Sequence, residues 1–217
     1  MLALAIFFIR DTVFRPKPDL TIIFATTTYV SQRESEALKA ALERKIGDFN
    51  GDGRVLVSLD EISLPISAMI ETAGGNADGE SAVNFTGADP EMMQASSMKL
   101  MAVIAAGSDP LFLLDDGMYA YISGMSGPSP EDYESKEITP EIMAEYAIFE
   151  PMPDIPGSFG PFGDRLAIKD TVLAADPELE RIGELAFSVR PALASNKKNA
   201  AYQAFCVQAL KLLASGQ

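Results

Sequence analysis

Continuous apolar blocks alternate along this chain with stretches in which apolar residues recur every three or four positions. Residues 20–27 read Leu-Thr-Ile-Ile-Phe-Ala-Thr-Thr, which is typical of a strand that is covered on both faces. Ser31, with Glu34 three residues later, then predicts the capping box of a helix. The apolar stripe of this helix ends before Gly47 and consists of Ala37, Leu38, Ala41, Leu42 and Ile46.

The same alternation continues to the end of the chain. A second strand is expected over residues 55–64, a helix from Asp89-Pro90 to about Ala106, and a short buried strand over residues 111–114. Further strands are predicted near 166–170 and 185–190, with a short helix at 177–182 and a last helix at about 196–214. Strands that alternate with helices indicate an α/β fold. We therefore predict one α/β domain over residues 20–217, a three-layer mixed sheet flanked by helices.

The first nine residues, Met-Leu-Ala-Leu-Ala-Ile-Phe-Phe-Ile, are wholly apolar. As a helix they would cover about 14 Å, roughly half of a bilayer's hydrocarbon core. Pro16 and Pro18 then favour an extended stem. We interpret residues 1–19 as part of a single-pass membrane anchor followed by a proline-containing stem, which predicts a bacterial cell-membrane protein with an extracytoplasmic domain. The alternative is a buried N-terminal strand or helix.

Composition limits the chemistry that this domain can perform. The chain has 217 residues, 47% of them hydrophobic, and no histidine. The missing histidine excludes Ser-His-Asp and Cys-His catalysis and removes the commonest ligand of catalytic zinc. The single cysteine, Cys206, lies on an apolar helical stripe, so we expect a buried and inert thiol. No catalytic residue and no cofactor-binding motif is indicated, and we predict a protein that is not an enzyme.

Acidic residues are concentrated in the middle of the chain. The net charge is −14, and residues 111–164 contain eleven acids but one base, Lys136. Such a surface would repel phosphate backbones, so we expect no nucleic-acid partner. It could attract cationic peptides or metal ions, or it could be a solvated surface that keeps the protein soluble.

Oxygen-bearing side chains occupy alternate positions of residues 48–53, Asp-Phe-Asn-Gly-Asp-Gly. In an EF-hand-type loop such oxygens bind Ca²⁺ at positions 1, 3 and 5, a glycine at 6 permits the turn, and the carbonyl of position 7 adds another ligand. The twelfth position holds Leu59 where a glutamate is usual. The pattern predicts a structural Ca²⁺ with the ligands Asp48, Asn50, Asp52, the backbone carbonyl of Arg54 and, out of register, Asp60. The alternative is a turn without an ion.

Two resemblances extend these predictions. The acidic run resembles the calcium loops of dockerins, although the duplicated loop of that family is missing. Residues 105–112, Ala-Ala-Gly-Ser-Asp-Pro-Leu-Phe, resemble the helix-to-strand junction in the first lobe of extracytoplasmic solute-binding proteins, and the likeness covers about residues 20–114. With its apolar N-terminus, Lys17-Pro18-Asp19 and an Asn-Gly-Asp-Gly loop before a strand, the chain also resembles small membrane-anchored bacterial proteins of unknown function. The resemblance implies one lobe of a periplasmic-binding-protein-like fold, but too few residues follow for a second lobe.

Two functional hypotheses follow. The first is a non-enzymatic, membrane-anchored extracytoplasmic binding or interaction domain for an unknown small molecule or peptide. The second is a carboxylate-dependent extracytoplasmic hydrolase that uses acids of residues 73–87 or of the acidic segment. Asp115 and Asp116 are interpreted as the surface end of a strand. A stripe of methionines is interpreted as core, with an adaptable binding groove as the alternative, and consists of Met92, Met93, Met98 and Met101.

Overall fold

The computed structural model describes residues 17–64, 90–125, 147–191 and 197–216. Five strands form one sheet in the order β2-β1-β3-β5-β4. β1 is parallel to its neighbours β2 and β3, while β5 is antiparallel to β3 and β4. The strands are β1 (Leu20–Thr26), β2 (Val57–Ser63), β3 (Leu111–Leu114), β4 (Leu166–Ala167) and β5 (Ala186–Val189).

Helices pack on both faces of this sheet, which confirms the predicted α/β class with a mixed sheet. The α-helices are α1 (Gln32–Glu43), α2 (Pro90–Ala106), α3 (Asp116–Met125) and α4 (Lys197–Ser215). Three short 3₁₀ helices connect β4 to β5, at Ile168–Asp170, Val172–Ala175 and Pro177–Ile182. The capping box predicted for α1 is present, because Ser31 and Glu34 exchange side-chain and backbone hydrogen bonds.

The sheet separates two apolar clusters. Ile22 and Phe24 of β1 point into one cluster together with residues of α1 and α4. Ile23 and Ala25 point into the other together with residues of α2 and α3. Because successive residues of a strand face opposite sides, a strand buried on both faces must be apolar at nearly every position. This accounts for the uninterrupted apolarity of β1.

The order of the parallel strands creates a topological switch point. The chain after β1 enters α1 on one face, whereas the chain after β3 enters α3 on the other. The chain therefore leaves β1 and β3 toward opposite faces of the sheet. A crevice forms between the carboxyl ends of two such strands, and in open α/β sheets this is where ligands bind.

Some elements differ from their predictions. Residues 116–125 form α3, which begins directly after β3 because the Asp115 carboxylate accepts a hydrogen bond from the Met118 backbone N–H (2.8 Å). Asp115 and Asp116 therefore lie at a helix start, and not at a plain strand end. The methionine stripe is not core throughout, since Met93 is buried while Met92, Met98 and Met101 are exposed. Their exposure contradicts the core interpretation at three of the four positions.

Cys206 lies on α4, and its thiol is buried in the apolar core, as predicted. Burial raises the pKa of this thiol to about 12. A thiol with so high a pKa stays protonated and unreactive at neutral pH. Of the helices that the structure describes, none combines the length and apolarity needed to cross a bilayer. The apolar segment 1–9, residues 73–87 and most of the acidic stretch after α3 lie outside the described residues.

Candidate functional site

The acidic loop at residues 48–53 is folded by its own side chains. The two carboxylate oxygens of Asp48 accept the backbone N–H groups of Gly51 (2.6 Å) and Gly53 (2.8 Å). Asn50 and Asp52 each accept the N–H two residues further on, at 2.9 Å. Both glycines have positive φ, 74° and 81°, a conformation that favours glycine. These contacts form a series of side-chain-capped turns.

A buried carboxylate that the sequence did not single out anchors this loop. Asp19 is fully buried and accepts backbone N–H groups from Phe49 (2.8 Å), Asn50 (3.0 Å) and Leu56 (2.9 Å). Burial alone would raise the pKa of Asp19, but the hydrogen bonds from these N–H groups outweigh it and hold the pKa below its ordinary value. The only sequence signal was an acid directly before an apolar strand.

The predicted metal ligands are brought together only in part. Asp48, Asn50, Asp52 and Arg54 share the loop, but Asp60 lies inside β2 and its carboxylate pairs with Lys99. Three residues of strand separate Asp60 from the start of β2, about 10 Å. Within the described ranges, no group of three or more His, Cys, Asp or Glu side chains is arranged to hold a metal ion. Any ion in this loop would depend on two carboxylates, one amide and a backbone carbonyl.

A second polar turn joins the carboxyl ends of β1 and β3, at the switch point. One oxygen of the Asp115 carboxylate accepts the Thr27 backbone N–H (2.6 Å), the Thr27 hydroxyl (2.8 Å) and the Thr28 N–H (3.3 Å). Its other oxygen caps α3 through the Met118 N–H. Asp115 thereby ties the loop after β1 to the start of α3 through four hydrogen bonds.

A crevice of about 300 Å³ opens beside the Asp115 turn. Gly117 is required there, because a Cβ at this position would lie 2.8 Å from the Thr27 side-chain methyl group. The lining combines hydroxyl, charged and aliphatic side chains. It consists of Thr27, Thr28, Val30, Asp115, Asp116, Gly117, Arg181, Ile182, Glu184 and Leu185.

Three ion pairs surround the crevice. Arg181 binds both carboxylate oxygens of Glu34 and donates a further hydrogen bond to the Tyr29 carbonyl. The hydrogen bonds from Arg181 are the main cause that lowers the pKa of Glu34 from 4.5 to about 2. The other two pairs join Arg165 to Asp116 (2.5 Å) and Lys169 to Glu184 (2.6 Å).

Arg165 is itself held in place by aromatic rings. Its guanidinium carbon lies 4.5 Å from the centre of the Tyr119 ring and 4.8 Å from that of Phe159, which is within cation–π range. The Tyr119 hydroxyl donates to the buried carboxylate of Asp164 at 2.6 Å. Burial is the main cause that raises the pKa of Tyr119, so the hydroxyl remains a donor. The position of Asp116 at the crevice is therefore fixed through Arg165.

A second groove, of about 370 Å³, lies between the end of α1 and the 3₁₀ segments. An ion pair between Arg44 and Asp176 (3.2 Å) lies in this groove. The groove lies away from the carboxyl ends of the strands, so the topological argument for a ligand site does not apply to it.

Comparison with protein-family models, with curated proteins and with solved structures finds no match to this chain. The candidate site therefore rests on its geometry. The structure brings Asp115 and Asp116 together with Thr27, Arg181 and Glu184, which sequence reasoning did not select. The only available sequence signal was a pair of acids directly after a buried strand, which is a common position for ligand-binding residues in parallel sheets.

Proposed function

We propose that this protein is a non-enzymatic binding domain whose ligand, a small molecule or part of a peptide, enters the crevice between the carboxyl ends of β1 and β3. The observation that supports this most strongly is the coincidence of a cavity of about 300 Å³ with the topological switch point. Ligand pockets are concave, mostly apolar and edged by a few polar groups. This crevice is concave but more polar, since Val30, Ile182 and Leu185 lie beside two threonines and four charged side chains.

The proposal includes the membrane anchor and the extracytoplasmic location suggested by the apolar first residues. It also retains the likeness to one lobe of a solute-binding protein. In such a protein the stem would lead into the amino end of β1, whereas the crevice lies at the carboxyl end, about 23 Å away along the strand. The ligand site would therefore face away from the membrane.

A structural Ca²⁺ in the 48–54 loop is a separate part of the proposal. Carboxylate and amide oxygens have more than one lone pair, so an oxygen that accepts a turn hydrogen bond keeps capacity for an ion. We expect Ca²⁺ to raise the thermal unfolding midpoint over that in EDTA, with Mg²⁺ as the matched ion, because binding to the native state alone stabilises it. An unchanged midpoint in all three conditions would refute the site.

The carboxylates at the crevice favour binding over hydrolysis. Glycosidase-type hydrolysis needs a pair of carboxyl groups across the substrate, one with a raised pKa. Asp115 is held by four donors. The side chains of Asp116 and Glu184 are 86% and 80% exposed and are paired with cations. Exposed carboxylates that are paired with cations suit electrostatic recognition of a ligand.

Amide chemical-shift mapping tests the binding proposal. A library of small polar fragments is titrated into uniformly ¹⁵N-labelled protein, and the shifts of every assigned backbone amide are followed. We expect hits to move the amides of Thr27, Thr28, Gly117 and Leu185 together. Hits that cluster elsewhere, or that move no amide around the crevice, would refute the proposal.

A further inference from the structure

We infer that the crevice recognises its ligand through a cationic nitrogen, a primary ammonium or a guanidinium on a short aliphatic stem. The inference rests on the proposed function, because it names the class of ligand for the same crevice. It follows from the hydrogen-bond donors and acceptors that line the crevice.

Negative charge predominates in the lining of the crevice. Its described residues include three carboxylates, Asp115, Asp116 and Glu184, and one cation, Arg181. Arg181 is already bound to both oxygens of Glu34 and to a carbonyl. A bidentate pair of this kind holds the guanidinium in place. Among the described residues of the lining, carboxylates therefore outnumber cations three to one, and the one cation is already paired with a carboxylate.

Two carboxylates of the lining keep an oxygen that can accept a further hydrogen bond. One oxygen of Asp116 accepts from Arg165, and one oxygen of Glu184 accepts from Lys169. In the part of the chain that the structure describes, the second oxygen of each carboxylate has no hydrogen-bond partner. Both side chains are mostly exposed at the edge of the crevice. Carboxylates only accept hydrogen bonds, so the complementary ligand group is a donor, and a charged donor is the strongest.

The N-terminus of α3 does not offset the preference of the crevice for a cationic group. A helix N-terminus usually favours anions, but here the Asp115 carboxylate already caps α3 and adds a negative charge. The same edge of the sheet binds this chain's own cations, since Lys169 pairs with Glu184 and the buried Arg165 pairs with Asp116. A ligand ammonium would repeat that interaction from inside the crevice.

Size and apolar lining define the rest of the ligand. Val30, Ile182 and Leu185 provide aliphatic contacts, which suit the methylene stem of an amine. A cavity of about 300 Å³ is at the lower limit for ligand pockets, so it fits one small amine or one basic side chain of a peptide. The net charge of −14 would also steer cations toward the domain.

Three probes with the same four-carbon stem test the charge preference: n-butylammonium, butan-1-ol and butyrate. Each is titrated into ¹⁵N-labelled protein at equal ionic strength. We expect butylammonium to move the amides of Thr28 and Gly117 at concentrations at which the alcohol and the carboxylate do not. The amide of Asp154, an exposed acid outside the crevice lining, reports non-specific attraction of cations. Shifts that are equal at Asp154 and at the crevice would overturn the inference.

A matched pair of variants completes the test. Asp116→Asn combined with Glu184→Gln should weaken butylammonium binding several-fold, whereas Asp154→Asn, an exposed acid paired with Lys211, should not. Unchanged melting midpoints show that the fold is intact. If butan-1-ol or butyrate binds the crevice better than the amine, the charge inference fails and the proposed site stands. If no probe and no fragment moves the crevice amides, both fail.

Discussion

Two polar turns in this molecule are each built around an aspartate, and they differ in burial and in whether a cavity lies beside them. Asp19 is buried and holds the acidic loop 48–53 through three backbone N–H groups. Asp115 holds the loop after β1 through Thr27 and Thr28, beside a crevice at the switch point. The acidic loop is the conspicuous motif in the sequence. The Asp115 turn is the one that lies beside a cavity.

The comparison shows that a conspicuous sequence motif need not mark the ligand-binding site. The side-chain oxygens of the acidic loop accept hydrogen bonds from backbone N–H groups of the same loop. The motif therefore serves to form the turns of this loop. The crevice has no local motif, because its walls come from strands and loops that are far apart in sequence. Where parallel strands end and their connections diverge, the backbone itself leaves a space. We therefore expect the loop to govern stability and the crevice to govern binding.

The largest effect should follow removal of the loop's anchor. Asp19→Ala leaves three backbone N–H groups without their carboxylate, and one buried unsatisfied donor costs about 1–3 kcal/mol. We expect the free energy of unfolding to fall by roughly 3–5 kcal/mol in urea titration. Asp52→Ala, which removes one exposed turn contact, is the control and should cost less than about 1 kcal/mol. Equal losses in both variants would contradict the role of Asp19 as the anchor of the acidic loop.

The Asp115 turn should be more tolerant, because it is only partly buried. In Asp115→Asn an amide replaces one acceptor oxygen, so either the Thr27 and Thr28 donors or the α3 cap loses its partner. We expect a loss of about 2 kcal/mol, together with amide shifts confined to residues 27–30 and 115–119. A larger loss than that of Asp19→Ala would reverse the comparison between the two turns.

The ion pair beside the crevice predicts a pH effect. The pKa of Glu34 is lowered to about 2 in the folded protein, so its contribution is complete above about pH 4.5 and is lost as pH falls toward 2. Because Arg181 is half exposed, we expect about 1 kcal/mol from this pair. Glu34→Gln should remove that part of the acid destabilisation, measured by urea titrations at several pH values. An identical pH profile in wild type and variant would contradict the assignment.

The smallest effect compares two glycines of α3. Gly117→Ala places a methyl group 2.8 Å from the Thr27 side chain, whereas Gly124→Ala meets nothing within 4 Å. Alanine is favoured over glycine in a helix by about 1 kcal/mol, so Gly124→Ala should stabilise the protein and Gly117→Ala should not. Adding Thr27→Ser, which removes the crowding methyl group, should recover the gain at position 117. Equal stabilisation by both single substitutions would show that the crevice wall is loosely packed.

Local patterns in the sequence predict most of this fold. β1, α1, α2, β3 and α4 lie within a few residues of their predicted bounds, because each has its own periodicity and caps. The sequence does not predict α3, since Asp115 reads equally well as the end of a strand. β4 is shorter than expected because the chain turns into a 3₁₀ helix after Ala167.

The candidate site could not be predicted in the same way. Thr27 and Asp115 are 88 residues apart, and Glu34 and Arg181 are 147 residues apart. Only the strand order brings these pairs together, and no local periodicity encodes that order. The acidic loop was visible in the sequence because the hydrogen bonds that fold its turns, accepted by Asp48, Asn50 and Asp52, are local.

The central claim is that the crevice at the carboxyl ends of β1 and β3 is the ligand site, and two filling variants test it most directly. Thr28→Trp fills this crevice, and Ala175→Trp fills the other groove, which lies between α1 and the 3₁₀ segments. Fragment binding is measured by amide shifts in both variants and in wild type. The account predicts that Thr28→Trp abolishes binding and that Ala175→Trp leaves it unchanged. The opposite outcome, or binding that survives Thr28→Trp, would contradict it.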